Sequence, residues 1–199
     1  MKAFKRNTAP FAVVGIVAAL LFAMVWLVAA VNDPNWVLGV NTLSDMGVSD
    51  VQLTADLFMY GCIITGLLVF VFGLGKASNE YGSSRASGIM TAIAGIFLVL
   101  VGLYNKDFGN GNIHNTVAIL FFLFLALAAM ASVHGDWTEG KRINGAIGAI
   151  LIMIVIGVAV GKPLAFVETV AVLCGLIWII SESVKMILNI RAAESAVSN

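Results

Sequence analysis

Five side chains with acid, hydroxyl or imidazole chemistry stand where an otherwise apolar chain has little use for them. Ser44 and Asp45 sit inside the stretch Asn41-Thr42-Leu43-Ser44-Asp45-Met46-Gly47. Asp56, His114 and Glu168 lie at or within the ends of three hydrophobic runs, with Tyr60 one turn after Asp56 and Asn115 beside the histidine. Together they offer carboxylate oxygens, an imidazole nitrogen and a hydroxyl. That set can hydrogen-bond a polar headgroup or small molecule. Asp45, Asp56, His114 and Glu168 also have the oxygen and nitrogen donors that could ligate a metal, with Ser44 binding a substrate oxyanion or a metal-bound water. An ionisable group on a membrane span costs free energy unless it faces a cavity or a partner, which makes each of them a site candidate.

The elements that hold these residues follow from composition. Sixty per cent of the 199 residues are apolar, and the mean hydropathy is +1.01. Both values exceed those of soluble domains of this length. Several apolar runs reach about eighteen residues, enough to cross a hydrocarbon core of about 30 Å. The reading is an all-α polytopic membrane protein, one six-helix bundle over 1–199. Its spans fall at about 11–31, 51–75, 86–104, 113–133, 143–160 and 164–188. The run from Phe11 to Val31 is longer than a signal-peptide core and is read as a retained helix. Breakers mark the gaps: Asn32-Asp33-Pro34-Asn35, Asn105 to Asn112 with Gly109 and Gly111, and Gly161-Lys162-Pro163. Ser49 and Gln52 have capping-box spacing, which predicts a second helix that starts at Asp50.

Charge gives the expected orientation. With the N-terminus inside, Lys2, Lys5, Arg6, Lys76, Arg85, Lys141, Arg142, Lys185 and Arg191 fall on the inner side, and Lys106 and Lys162 outside. Nine against two puts both termini in the cytoplasm. Asp45, Asp56 and Glu168 then belong to the outer side, as does His114 in the first turn of the fourth span. Asp56 and Glu168 lie about 8–9 Å below the helix starts at 1.5 Å per residue. The interval 32–50 carries no lysine or arginine. It is long for a bundle connection, and such loops are often functional. It is expected to fold over the helix ends as a lid and to bring Ser44 and Asp45 towards Asp56, His114 and Glu168. Plainer roles stand beside this one: Asp45 as a turn cap, His114 as an interfacial histidine bonded to a carbonyl, Asp56 and Glu168 in headgroup water.

Glycine is patterned too. Gly88, Gly95 and Gly102 recur every seven residues and predict a close helix contact, and Gly157 with Gly161 forms a small-xxx-small pair read as intramolecular packing. A homo-oligomer through such glycine-rich faces is the alternative. Glu182 and Lys185 have the spacing of an i,i+3 ion pair. Cys62 and Cys174 sit in apolar runs and read as packing residues. A net charge of zero gives no case for nucleic acid, and no cofactor fingerprint is present.

The Asn41–Gly47 stretch between spans one and two, with the His114-Asn115 pair opening span four, resembles the domain-of-unknown-function 998 family of prokaryotic integral membrane proteins. The same features are distantly similar to the DRAM-type (damage-regulated autophagy modulator) membrane proteins. There an Ile-Ser-Asp-Thr-Gly stretch and a His-Asp pair occupy corresponding places; here Met46 and Asn115 stand for the Thr and the Asp. The resemblance covers nearly the whole chain in span count and order. It marks Ser44, Asp45, Gly47, His114 and Asn115 and implies the six-span fold, without implying a reaction.

Three functions follow from these residues. The first is a multi-pass protein of the cell membrane, in contact with membrane lipids, whose outward-facing polar pocket (Asn41, Ser44, Asp45, Asp56, Tyr60, His114, Asn115, Glu168) binds a lipid headgroup or polar small molecule. The second is an intramembrane metal-dependent lipid hydrolase, and the third a cation or proton transporter. The first requires only a hydrogen-bonding cluster and is preferred; whether the chain is an enzyme is left open between them.

Overall fold

Where water is absent a backbone satisfies its own polar groups only by coiling, so long apolar runs become helices. The computed structural model describes residues 9–198, with side chains to residue 189; Lys2, Lys5 and Arg6 and the side chain of Arg191 lie outside that range. Six helices form: α1 Ala9–Asn32, α2 Gln52–Asn79, α3 Gly82–Leu103, α4 Asn112–Thr138, α5 Arg142–Ala159 and α6 Leu164–Ser198. All six are long and apolar enough to cross a membrane. The described residues contain no strand.

Several helices run past the spans expected from hydropathy, and the reason is local. α2 continues through Lys76 to Asn79, and α4 through Asp136 to Thr138. A hydropathy window stops at such residues, whereas a helix continues wherever its polar side chains find partners. At the start of α2 the expectation fails. The helix begins at Gln52 behind Val51, with no side-chain cap. Ser49 accepts from the Val51 amide at 3.1 Å and donates to Asp33, so its hydroxyl turns the loop and caps nothing. Gln52 bonds forward to Asp56 at 2.8 Å.

The helices close into a ring. Each packs on the next in chain order, and α6 returns to α1. The α2–α3 contact is the most extensive, and glycine makes it so. A Cβ on Gly95 would stand 2.5 Å from the Phe70 amide nitrogen, and one on Gly66 would stand 2.7 Å from the Gly95 carbonyl oxygen. Gly88 and Gly102 face α2 in the same way, so the seven-residue seam is a backbone-to-backbone contact. Gly157 and Gly161 behave differently: no atom lies within 4 Å of a Cβ built on either. The expected intramolecular packing of that pair is therefore absent, because the end of α5 stands outside the ring's contacts. α5 buries only Gly145 and Gly148.

The connection between α1 and α2 crosses one end of the ring, taken here as the upper end. It contains a short 3-10 helix, Leu43–Val48, where no helix was expected. Leu43 and Met46 plug into an apolar cluster with Phe22, Phe58, Cys62, Leu98, Val101 and Val117. A second cluster around Phe72, Leu125, Ala128, Trp178 and Ile179 fills the ring below it.

Candidate functional site

Two residues with capping-box spacing organise the upper end, though not those read from the sequence. Thr42 Oγ1 accepts from the Asp45 amide at 3.2 Å, and Asp45 Oδ2 accepts from the Thr42 amide at 2.7 Å. This reciprocal pair starts the Leu43–Val48 helix. It turns Ser44 inward, where the hydroxyl donates to Glu168 Oε1 at 3.0 Å. The first connection is thereby tied to α6 across 124 positions of chain.

Asp45 is also paired with Lys106, from the α3–α4 connection. The same ammonium donates to Thr42 Oγ1 at 2.6 Å. Lys106 was read only as one of two outer basic residues, and the first outer interval as lacking a compensating cation; the structure supplies that cation from another loop. Partial burial pushes the Asp45 carboxyl up, but the Lys106 and Thr42 hydrogen bonds outweigh it and hold it below the usual aspartate range. The Ser49 hydroxyl, helped by the Asn35 and Trp36 amides, likewise holds Asp33 low against burial.

His114 is 1 % exposed, in the first turn of α4. Its Nδ1 lies 2.7 Å from the Tyr104 carbonyl oxygen. A carbonyl only accepts, so Nδ1 carries the proton and Nε2 of the neutral ring holds a lone pair. Nε2 is buried and has no partner within the protein.

The other expected members point elsewhere. Asp56 bonds only within α2, Tyr60 is 56 % exposed and Asn115 is exposed. Helical phase is the reason. Thr54 and Phe58 face the ring, and two residues on, at about 200°, Asp56 and Tyr60 face away together. His114 faces in, so Asn115 swings about 100° outward. Accordingly the structure joins Ser44 to Glu168 and Asp45 to Lys106, with His114 beneath. Among the described residues no group of three or more His, Cys, Asp or Glu side chains is placed to hold a metal ion.

A recess of about 230 Å³ opens beside this cluster, walled chiefly by Asp33, Trp36, Asn41, Asp45, Ser49 and Asp50. Asn41 Oδ1 accepts from the Val37 amide at 3.0 Å, and the Trp36 indole donates to the Thr42 carbonyl at 2.9 Å, so both side chains are held in place. Asp33, Trp36, Ser49 and Asp50 were not among the expected site residues. Asp33 was read only as part of the Asn-Asp-Pro-Asn helix breaker, and Ser49 and Asp50 only as the start of the second helix.

The lower end holds a cluster of another kind. Lys76, Asp136, Glu182 and Lys185 are all at most 4 % exposed. Lys76 pairs with Glu182 and donates to Ser87 at 2.7 Å and Ser132 at 3.3 Å. Lys185 reaches both Asp136 oxygens at 2.9 and 3.0 Å, Ser132 at 3.2 Å and Glu182 at 2.7 Å. The expected Glu182–Lys185 pair is present as half of this network. Lys76 and Lys185 are thus interior charges, not loop charges, and seven basic residues remain on the side expected to face inward. The network was missed because Lys76 and Asp136 each lie beside a span end and resemble flanking charges.

A protein family described as "Protein of unknown function (DUF998)" matches the chain over residues 16–184. No curated protein and no solved structure matches, so the distant likeness to DRAM-type proteins rests on its short motifs alone.

Proposed function

Since this chain belongs to the DUF998 family, whose description assigns no activity, we propose a function from its own geometry: the upper recess binds a lipid headgroup or another polar small molecule. The observation that carries this reading is the recess itself, a polar hollow of about 230 Å³ at the end of an apolar bundle. Three carboxylates and no lysine or arginine line it. A wall of that charge favours an amine- or hydroxyl-bearing group over a bare phosphate. Asp45 belongs both to the wall and to the ion pair that closes the first connection, so occupancy and closure share one residue. His114 is not part of that lining; its Nε2 is a separate buried acceptor with no partner in the protein.

In this reading the protein resides in the cell membrane as a multi-pass protein, with the interval 32–50 an outward-facing lid and both termini cytoplasmic. The remaining basic residues support that orientation. A metal-dependent hydrolase has less support, since Asp56 faces away from Asp45, His114 and Glu168. Cation or proton transport gains one support: the lower cluster places ionisable groups inside the bundle.

Native mass spectrometry of the purified protein, scoring retained lipid, tests the reading. Asp50→Asn, Asp45→Ala and His114→Ala are compared with the parent. Loss of the retained species by about tenfold in Asp45→Ala, with a smaller loss in Asp50→Asn, is expected for a headgroup site worth about 1.4 kcal/mol at that residue. Unchanged retention in all three, in folded protein, overturns it.

A further inference from the structure

The four lower charges are saturated. Glu182 gives one oxygen to each lysine, Asp136 gives both oxygens to Lys185, and the Ser87 and Ser132 hydroxyls take donors from the ammonium groups. Two positive and two negative groups cancel, and no ligand is needed to complete them. Nor does stability account for them, because a buried ion pair is commonly no better than well-packed apolar side chains of the same volume. Their placement supplies another reason. Lys76 is on α2, Asp136 and Ser132 on α4, Glu182 and Lys185 on α6. In the ring these helices are next-but-one neighbours, separated by α1, α3 and α5. The network therefore ties α2, α4 and α6 by charge at the lower end, below the apolar cluster through which the same helices meet inside the ring.

It also lies close to the rim. α2 ends three residues after Lys76 and α4 two after Asp136, less than one turn of about 5 Å. Ser84 donates to Glu139 at 3.2 Å, and Glu139 pairs with Lys141 at 2.7 Å, linking the start of α3 to the α4–α5 turn at this end. We infer that the Lys76–Glu182–Lys185–Asp136 network is a latch across the lower mouth of the bundle, with two states: charges paired and dry, or parted and hydrated. Removing one charge leaves another buried and unpaired, so water must enter and the mouth opens. Removing an oppositely charged pair together leaves no such demand. The latch also touches the apolar interior. The Lys76 ammonium stands 5.4 Å from the centre of the Trp178 ring, and Trp178 ends the apolar groove between α4, α5 and α6. Parting the charges moves a wall of that groove.

The reporter is Ala128→Cys, one turn above Ser132 and fully buried, in full-length protein with Cys62→Ala and Cys174→Ala, reconstituted in nanodiscs. The rate of reaction with a charged methanethiosulfonate reagent is measured. The parent network is expected to react slowly, Glu182→Gln about tenfold faster, and Lys76→Met/Glu182→Met within about threefold of the parent. Fast labelling of the parent, an unchanged rate in folded Glu182→Gln, or a double variant as reactive as the single one overturns the latch. If Glu182→Gln does not fold, Ser132→Ala decides. It removes a hydroxyl shared by both ammonium groups without removing charge; a rise of about threefold supports the latch, and no rise overturns it.

Discussion

At the lower end of the ring, Lys185 Nζ meets four oxygens and its side chain is 4 % exposed. At the upper end, Lys106 Nζ meets two oxygens and stays 28 % exposed, against an Asp45 side chain that is 34 % exposed. Both are lysine–carboxylate pairs that tie separate parts of the chain. They differ in how much water each can reach, and this divides their roles. A dry, saturated network has strong mutual dependence and no free group to offer. A half-wet pair beside a hollow is weak, adjustable and able to exchange a partner for a ligand. In the binding role proposed for the upper recess, the group on offer is the one whose charge is least committed.

The comparison is broken most directly by deleting one acid from each end. Glu182→Ala leaves Lys76 buried without a carboxylate, while Lys185 keeps Asp136, and is expected to destabilise the protein by about 3–5 kcal/mol. Asp45→Ala removes a partly solvated pair and is expected to cost at most about 1 kcal/mol for that pair. Thermal or denaturant unfolding in one detergent measures both, and equal losses would show the two pairs to be alike. A finer test compares hydroxyls. Ser132→Ala takes an acceptor from two ammonium groups and is expected to cost about 3 kcal/mol, against about 1.5 kcal/mol for Ser44→Ala, which loses one bond to the Glu168 carboxyl.

The smallest effect is expected from solvent conditions. Because the Asp45 carboxyl is held below its ordinary value, its contribution is complete above the unfolded aspartate value near pH 3.9. That contribution is lost as pH falls through the depressed folded value. Hydrogen exchange in Leu43–Val48 should therefore be unchanged from about pH 7 to 5, after correction for intrinsic rates, and rise only in stronger acid. Raising salt to about 1 M should loosen this segment modestly by screening the pair. The amides around Lys76 and Asp136, beside a dry network, should not respond to salt.

The fold was largely legible, because crossing a membrane is a property of consecutive residues. The glycine heptad spacing likewise announced a close seam on α3. The site was legible in pieces. Ser44, Asp45, His114 and Glu168 drew attention as polar groups in apolar surroundings, and the structure does gather them at one end. Asp56, Tyr60 and Asn115 drew attention for the same reason but face outward, since a two-residue or one-residue step around a helix reverses or turns the side chain. Lys106 and Asp33 looked like ordinary loop residues.

Composition and order by themselves determined that this chain is a six-helix bundle with its helices broken at Asn32–Asn35, Gly109–Gly111 and Gly161–Pro163. They also determined that a polar stretch follows the first helix. Only the tertiary structure decided that Lys106 answers Asp45 and that Lys76 meets Glu182 106 positions away. Hydropathy is carried by neighbours along the chain, whereas these pairings depend on the rotational phase of each helix and on which helices the ring sets face to face.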